Sequence, residues 1–374
     1  MGASRQFSSK RIVVIPGAIL IAAMSSNFHP QSGVDVLERS RQLTRHLYAG
    51  ALDSLPTNVL LDLGGPGDTV LVRWFRGSRR DSLGREWPTQ PVITLEGPQA
   101  EGTFLARLEA TFGRELEVVD EGVYPCYQPF CELPHSFEYN RIARFSRSRD
   151  HTVTVAWLWT SGTLVGGWLV PSRRAVPSEF DAYEPRTTLR LPFDGEWVVL
   201  WGGTKPHENY HLAVPPLRFA YDFVLDSGGS LHRSDGRSNA DFFCWGRPIL
   251  APAAGRVAMV LDSFAENVPG RSRAGYRGPG NFVTIDHGGG EFSMLAHLRR
   301  GSVRVASGQQ LEMGDTVGVC GNNGESVLPH LHYQLQRGPG RPVPALFSDF
   351  LANAVRVGRG QPTRGQRVTH TARP

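Results

Sequence analysis

At 374 residues the chain is too long for one ordinary small domain and suits two, each large enough to bury a core. A hydrophobic share of 40% with 42 Gly and 27 Pro excludes a disordered polymer and indicates a turn-rich, β-heavy globular protein; no run approaches the ~20 apolar residues of a membrane helix. The net charge of +5 is spread over the whole length and lacks the aromatic-basic signature of common nucleic-acid modules, so neither a nucleic-acid partner nor an integral membrane protein is expected.

In chain order, Arg5, Lys10 and Arg11 precede the apolar run Ile12 to Met24, with small residues at Ala22, Ala23, Ser25 and Ser26. This order predicts a secretory signal over 1–26 and export to the periplasm, the cell wall or the extracellular space. Val34 to Leu55 reads as a helix with Val36, Leu37, Leu43, Leu47 and Leu52 on one side, and Gly102 to Phe112 as a second. The period then changes. Phe137 to Phe145 is strand-like, and His151 to Trp159 sets Val153, Val155, Trp157 and Trp159 on one face before a turn at Thr160-Ser161-Gly162 and a return strand through Val170. Helices followed by an antiparallel sheet predict an α+β domain over 31–171.

In an exported protein Cys126 and Cys131 can close a short disulfide, while Cys244 and Cys320 read as small core residues. Residues 172–200 read as a linker and leading strand, and 201–352 as short strands punctuated by Gly and Pro, an all-β domain. The stretch from Val355, within an expected tail 353–374, is Arg-, Gly- and Pro-rich without periodicity.

The chemistry gathers around Pro329-His330-Leu331-His332-Tyr333-Gln334-Leu335-Gln336, where apolar and polar residues alternate. A strand here aims both imidazoles to one side. His297 ends an arm beginning at Glu291, whose hairpin partner is Asn281 to Asp286 and whose turn is His287-Gly-Gly-Gly; His207 and His211 lie earlier. Ile249-Leu-Ala-Pro-Ala-Ala-Gly-Arg-Val, Asn281-Phe-Val-Thr-Ile-Asp-His-Gly, Ala296-His297-Leu298, Gly308-Gln309, Gly314-Asp-Thr-Val-Gly-Val-Cys-Gly-Asn-Asn-Gly-Glu-Ser and His330-Leu-His332 occur in the order and spacing of the LytM/lysostaphin-type zinc metallopeptidases, which the stretch from Gly202 to Phe347 resembles. The return strand Gly162 to Pro171 resembles the closing strand of small NTF2-like accessory domains.

The resemblance implies a duplicated-hybrid-motif β fold, a bound Zn2+ and cleavage of peptide bonds in a peptidoglycan substrate. It implies Asp222 and His332 as metal ligands, with His297 and His330 flanking the reacting carbonyl. Two departures stand out. In the family's commoner motif the first ligand is a histidine four residues before the aspartate; that position is Arg218 here, and a guanidinium has no lone pair to give a metal. His211 is the favoured replacement and His207 the substitute. Leu295 stands where the family often has a substrate-orienting tyrosine.

Two histidines and a carboxylate leave a fourth position for water, the pattern of a catalytic zinc site. No His-Glu-x-x-His motif is present to supply a glutamate base. A non-catalytic regulator of another wall hydrolase is the alternative. A biotinyl or lipoyl carrier is excluded, because no lysine follows Lys205.

Overall fold

The computed structural model describes residues 33–49, 79–80, 86–87, 113–127, 136–147, 152–160, 162–171, 177–272, 276 and 278–371. The expected signal, the first helix beyond residue 49, the second helix and Cys131 lie outside them. The chain divides into two compact units: the first takes in most of the residues before 172, the second Ser172 onward together with Gly77–Trp87 and Tyr124–Glu138.

Before residue 172 the elements are α1 (Gly33–Ala49), the short pair β1 (Arg79–Arg80) and β2 (Glu86–Trp87), β3 (Glu115–Cys126), β4 (Ser136–Phe145), β5 (Thr152–Thr160) and β6 (Thr163–Pro171). The four long strands form one sheet in the order β3-β4-β5-β6. Val153, Val155, Trp157 and Trp159 all point into the core, as their alternation predicts. Against them α1 turns Val36, Ser40, Leu43 and Thr44, a stripe with helical spacing that contains two hydroxyls. Both hydroxyls have a partner there: the Trp157 indole donates to Thr44 Oγ1 at 2.8 Å and the Trp159 indole to Ser40 Oγ at 2.8 Å.

Thr44→Val therefore leaves a buried indole N–H without an acceptor. Chemical unfolding is expected to show a loss of about 1–3 kcal/mol that Thr44→Ser does not. Cys126 is disulfide-bonded, while Cys244 and Cys320 are free, buried thiols.

The second unit contains the 3-10 turns Tyr210–Ala213, Pro215–Leu217 and Asn239–Asp241 among strands β7 (Trp197–Trp201), β8 (Tyr221–Val224), β9 (Pro248–Leu250), β10 (Gly255–Leu261), β11 (Phe282–Asp286) and β12 (Phe292–Ala296). It continues with β13 (Gln310–Leu311), β14 (Thr316–Val319), β15 (Leu331–Gln336), β16 (Pro342–Val343), β17 (Phe347–Ala352), β18 (Val355–Gly360) and β19 (Arg367–His370). Ten of these strands run β13-β10-β11-β12-β15-β8-β7-β19-β17-β18 through one sheet, with β16 also paired to β15 and with β14 and β9 forming a separate pair. The unit is mostly β, as expected.

β15 lies inside this sheet, with β12 on one side and β8 and β16 on the other. Leu331, Tyr333 and Leu335 enter the core, but His332, Gln334 and Gln336 are buried as well, so the strand is not a half-solvated edge. The β11–β12 hairpin forms as expected, its Gly288, Gly289 and Gly290 all at positive φ.

Leu189, Leu191, Phe193 and Trp197, in the stretch read as leading into the second domain, are core residues; the rings of Phe193 and Trp197 stack at 4.6 Å. One stretch differs from the sequence reading. The expected aperiodic tail contains β18 and β19, and β19 sits between β7 and β17. Strands such as Val-Arg-Val-Gly-Arg-Gly carry little alternation because pairing, not a buried face, defines them.

Candidate metal centre

β15 organises the site. His332 stands opposite Asp222 of β8 on one side and Ala296 of β12 on the other. His330 immediately precedes β15 and His297 immediately follows β12, so sheet register alone delivers four side chains to one end of the strands. His297 takes φ +60°, in the left-handed region that residues with a Cβ seldom adopt. That reversal is held by its own N–H to Pro279 O and by Leu298 N to Asn281 O at 3.0 Å. Gly321 packs against it so closely that a Cβ would lie 2.8 Å from His297 O and 2.4 Å from Arg299 N.

The fifth side chain comes from outside the sheet. His211, on the turn Tyr210–Ala213, places Nε2 3.4 Å from Asp222 Oδ2, while His332 Nδ1 lies 2.9 Å from Asp222 Oδ1 and His330 Nε2 3.5 Å from the same oxygen. The ring of His297 is 4.7 Å from that of His330 and 5.6 Å from that of His332. All five are buried. Thus His211, Asp222, His332, His297 and His330 meet at one point. His207 does not: its ring lies against Tyr124 at 5.5 Å.

The donor set fits a zinc ion. A tetrahedral centre with ligands at ~2.0–2.1 Å separates neighbouring ligand atoms by about 3.3 Å, close to the 2.9 and 3.4 Å observed. His211 Nδ1 faces Asn209 Oδ1 at 2.8 Å, which fixes the proton on Nδ1 and leaves the buried Nε2, without a hydrogen bond, as a lone pair aimed at the carboxylate. Two groups of side chains have ligand atoms close enough to share an ion, His211-Asp222-His332 and His297-His330-His332.

Burial pushes the His211 imidazole down to about 4, only partly offset by Asp222, so it is neutral at ordinary pH. Burial pushes the Asp222 carboxyl up, but His211 and His330 overrule it and hold the group well below the usual carboxylate range. Burial and then the neighbouring His330 and His332 keep His297 far below an ordinary histidine. For His330, burial works downward, yet the charge and hydrogen bonding of Asp222 carry it upward. A neutral imidazole and an ionised carboxylate are the protonation states that bind metal.

Three features escaped the sequence reading. Asn209, two residues before His211, orients its ring. Arg218 is buried and bonded rather than merely substituted. Gln334 places Oε1 3.4 Å from His332 Nε2. Leu295 turns into the core and contributes nothing polar. The loops around Asn239 and Asn267 meet: Asn239 donates to Asn267 O at 2.8 Å and accepts from Asn322 at 2.8 Å, on the segment that leads to His330.

Residues 238–344 match the model of peptidase family M23. The M23 segment contains His297, His330 and His332 and begins after Asp222. The peptidoglycan DD-endopeptidase ShyA of Vibrio cholerae is 40% identical over 77 residues, 20% of this chain and 17% of that protein. An uncharacterized metalloprotease of Haemophilus influenzae is 34% identical over 89 residues, 24% of this chain and 16% of its own. The chain thus spans under a fifth of each of these curated relatives. Among solved structures, pseudoalterin, a deep-sea M23 metalloprotease, aligns at 16% identity over 51% of this chain and 98% of its own with a TM-score of 0.29. The catalytic domain of the M23 protein EnpA from Enterococcus faecalis aligns at 23% identity over 33% and 73% with a TM-score of 0.24.

Proposed function

We propose that this chain is a zinc-dependent endopeptidase, exported from the cell, that hydrolyses peptide bonds in bacterial peptidoglycan. One observation carries the reading: His211, Asp222 and His332, from three separate segments, converge on a buried point with the His211 Nε2 lone pair left open. His211, Asp222 and His332 would hold the ion, whose chemistry when bound is to polarise the scissile carbonyl and acidify a water. His330, its Nδ1 fixed 2.9 Å from Leu328 O, directs Nε2 toward the site, and His297 stands beside it. Between them the two rings can accept a proton from water, pass it to the leaving amine and hydrogen-bond the developing oxyanion. Hydrogen bonds among Asn239, Asn267 and Asn322 join two loops that we read as a wall for an extended peptide.

Export is supported by the N-terminal order of charge, apolar run and small residues and by the bonded Cys126. No helix among the described residues is long and apolar enough to cross a membrane. The α+β unit before the M23 segment is read as an NTF2-like accessory module, supported by its helix packed on a four-stranded sheet.

The test is metal content of the purified protein alongside peptidoglycan digestion for wild type, His211→Ala, His207→Ala and His332→Ala. Wild type and His207→Ala are expected to carry about one zinc and to solubilise peptidoglycan, and the other two to do neither. An inert, metal-free wild type would establish the regulator reading instead.

A further inference from the structure

Arg218, four residues before Asp222, is a charged side chain only 6% exposed. Nη1 donates to Leu212 O at 3.1 Å, the carbonyl next to His211. Nε donates to Asp181 Oδ1 at 3.1 Å, and Nη2 bonds the same oxygen. The guanidinium therefore ties the turn carrying His211 to a separate segment of the same unit. Its own backbone caps the turn Pro215–Leu217, and Phe219 follows at φ +69°, the reversal that delivers Asp222 into β8.

The loop from 209 to 220 needs such a tie. Pro215 and Pro216 supply no backbone N–H, so a continuous ladder cannot order it. Asn209 closes its base, donating to Ala220 O at 3.0 Å and to Gly203 O at 3.3 Å. Arg218 closes its middle. With both ties in place the His211 ring has one position relative to Asp222; without the second, the turn can move and the imidazole with it.

We propose that Arg218 is a positioning residue for the metal site: through Leu212 O and Asp181 it fixes the turn that carries His211. This rests on the reading of His211, Asp222 and His332 as a metal-binding set. A ligand must be held to within a few tenths of an ångström of its bonding distance, so loosening the turn should appear first as lost affinity. Lysine cannot reproduce the arrangement, because a single ammonium lacks the planar fork that reaches a carbonyl and a carboxylate together.

The experiment is zinc competition against a chromophoric chelator, with thermal unfolding of the metal-free protein, for full-length wild type, Arg218→Met, Arg218→Lys, Asp181→Asn and the core variant Phe350→Leu. Arg218→Met and Arg218→Lys are expected to raise the zinc Kd about 10- to 100-fold, the cost of losing an outer partner of a ligand. Asp181→Asn, altering the half-exposed end of the fork, should raise it about threefold and keeps the test open if the Arg218 variants do not fold. Phe350→Leu should lower the metal-free midpoint and leave Kd within twofold. Wild type binding zinc while the Arg218 and Asp181 variants bind it equally well overturns the positioning role alone. So does Phe350→Leu weakening zinc as much as they do. A wild type that takes up no zinc overturns the ligand set, and this role with it.

Discussion

Asp222→Asn is expected to abolish zinc binding, to lower peptidoglycan hydrolysis by at least ~1000-fold, about 4 kcal/mol of transition-state stabilisation, and to destabilise the metal-free protein. The carboxylate is the single anion in reach of His211, His330 and His332 among the described residues, and it touches all three. Asparagine keeps the shape but loses the charge that offsets a divalent ion. In the absence of metal the charge still counts: the imidazole neighbours outweigh the cost of burying the carboxylate, and an amide leaves His330 without the partner that raises it. Zinc per mole, digestion of purified peptidoglycan and calorimetry in chelator check the three parts; a variant that keeps its zinc would remove Asp222 from the site.

Glu291→Gln is the largest expected stability effect. Glu291 is 2% exposed, and its carboxylate is enclosed by donors: Tyr183 Oη to Oε1 at 2.6 Å, Arg186 N to Oε1 at 2.8 Å, Thr187 N to Oε2 at 2.8 Å and the Thr187 hydroxyl to the same oxygen. An amide turns its NH2 toward two of those donors, so one pair of bonds becomes a clash. The loss should be about 3 kcal/mol, or roughly 6–12 °C in Tm. Burial pushes this carboxyl up, but the Thr187, Tyr183 and Arg186 donors prevail and leave it lowered. The folded protein therefore binds this proton more weakly than the unfolded chain. The stabilisation is complete above the unfolded value of about 4.3 and drains away as pH falls through the lower folded value. Glu291→Gln should show a flatter loss of stability below pH ~4.5 than wild type; equal slopes would mean that the carboxylate is not ionised in this network.

Much of the site was legible because its geometry is local. The alternation from His330 to Gln336 sets both imidazoles by strand period, and the Gly-rich turn after His287 makes His297 the end of a hairpin arm. Asp222 sits in a four-residue strand recognisable by its apolar neighbours. His211 is favoured over His207 in the sequence, but a 3-10 turn has too short a period to show which ring faces inward; the bond to Asn209 that orients the His211 ring is invisible in sequence. Arg218 was legible only as a missing ligand, because its partners Leu212 and Asp181 lie on other segments. The buried row His332, Gln334 and Gln336 looked solvent-facing because alternation reports polarity, not what covers it. β18 and β19 were missed for the opposite reason: their residues have no apolar rhythm, and partner strands alone make them strands.

β19 joins β7 at Arg367 opposite Val198 and Val368 opposite Trp197, and β7 in turn flanks β8. A growing polypeptide that has reached residue 350 has made every histidine and the aspartate of the centre, yet one border of β7 still exposes unpaired N–H and C=O groups. Closure waits for a segment about 170 positions downstream, a separation that makes it a slow event in assembly. Order of synthesis thus separates making the reactive groups from completing the sheet that supports them, and a ribosome stalled before residue 367 yields a chain with an adhesive edge.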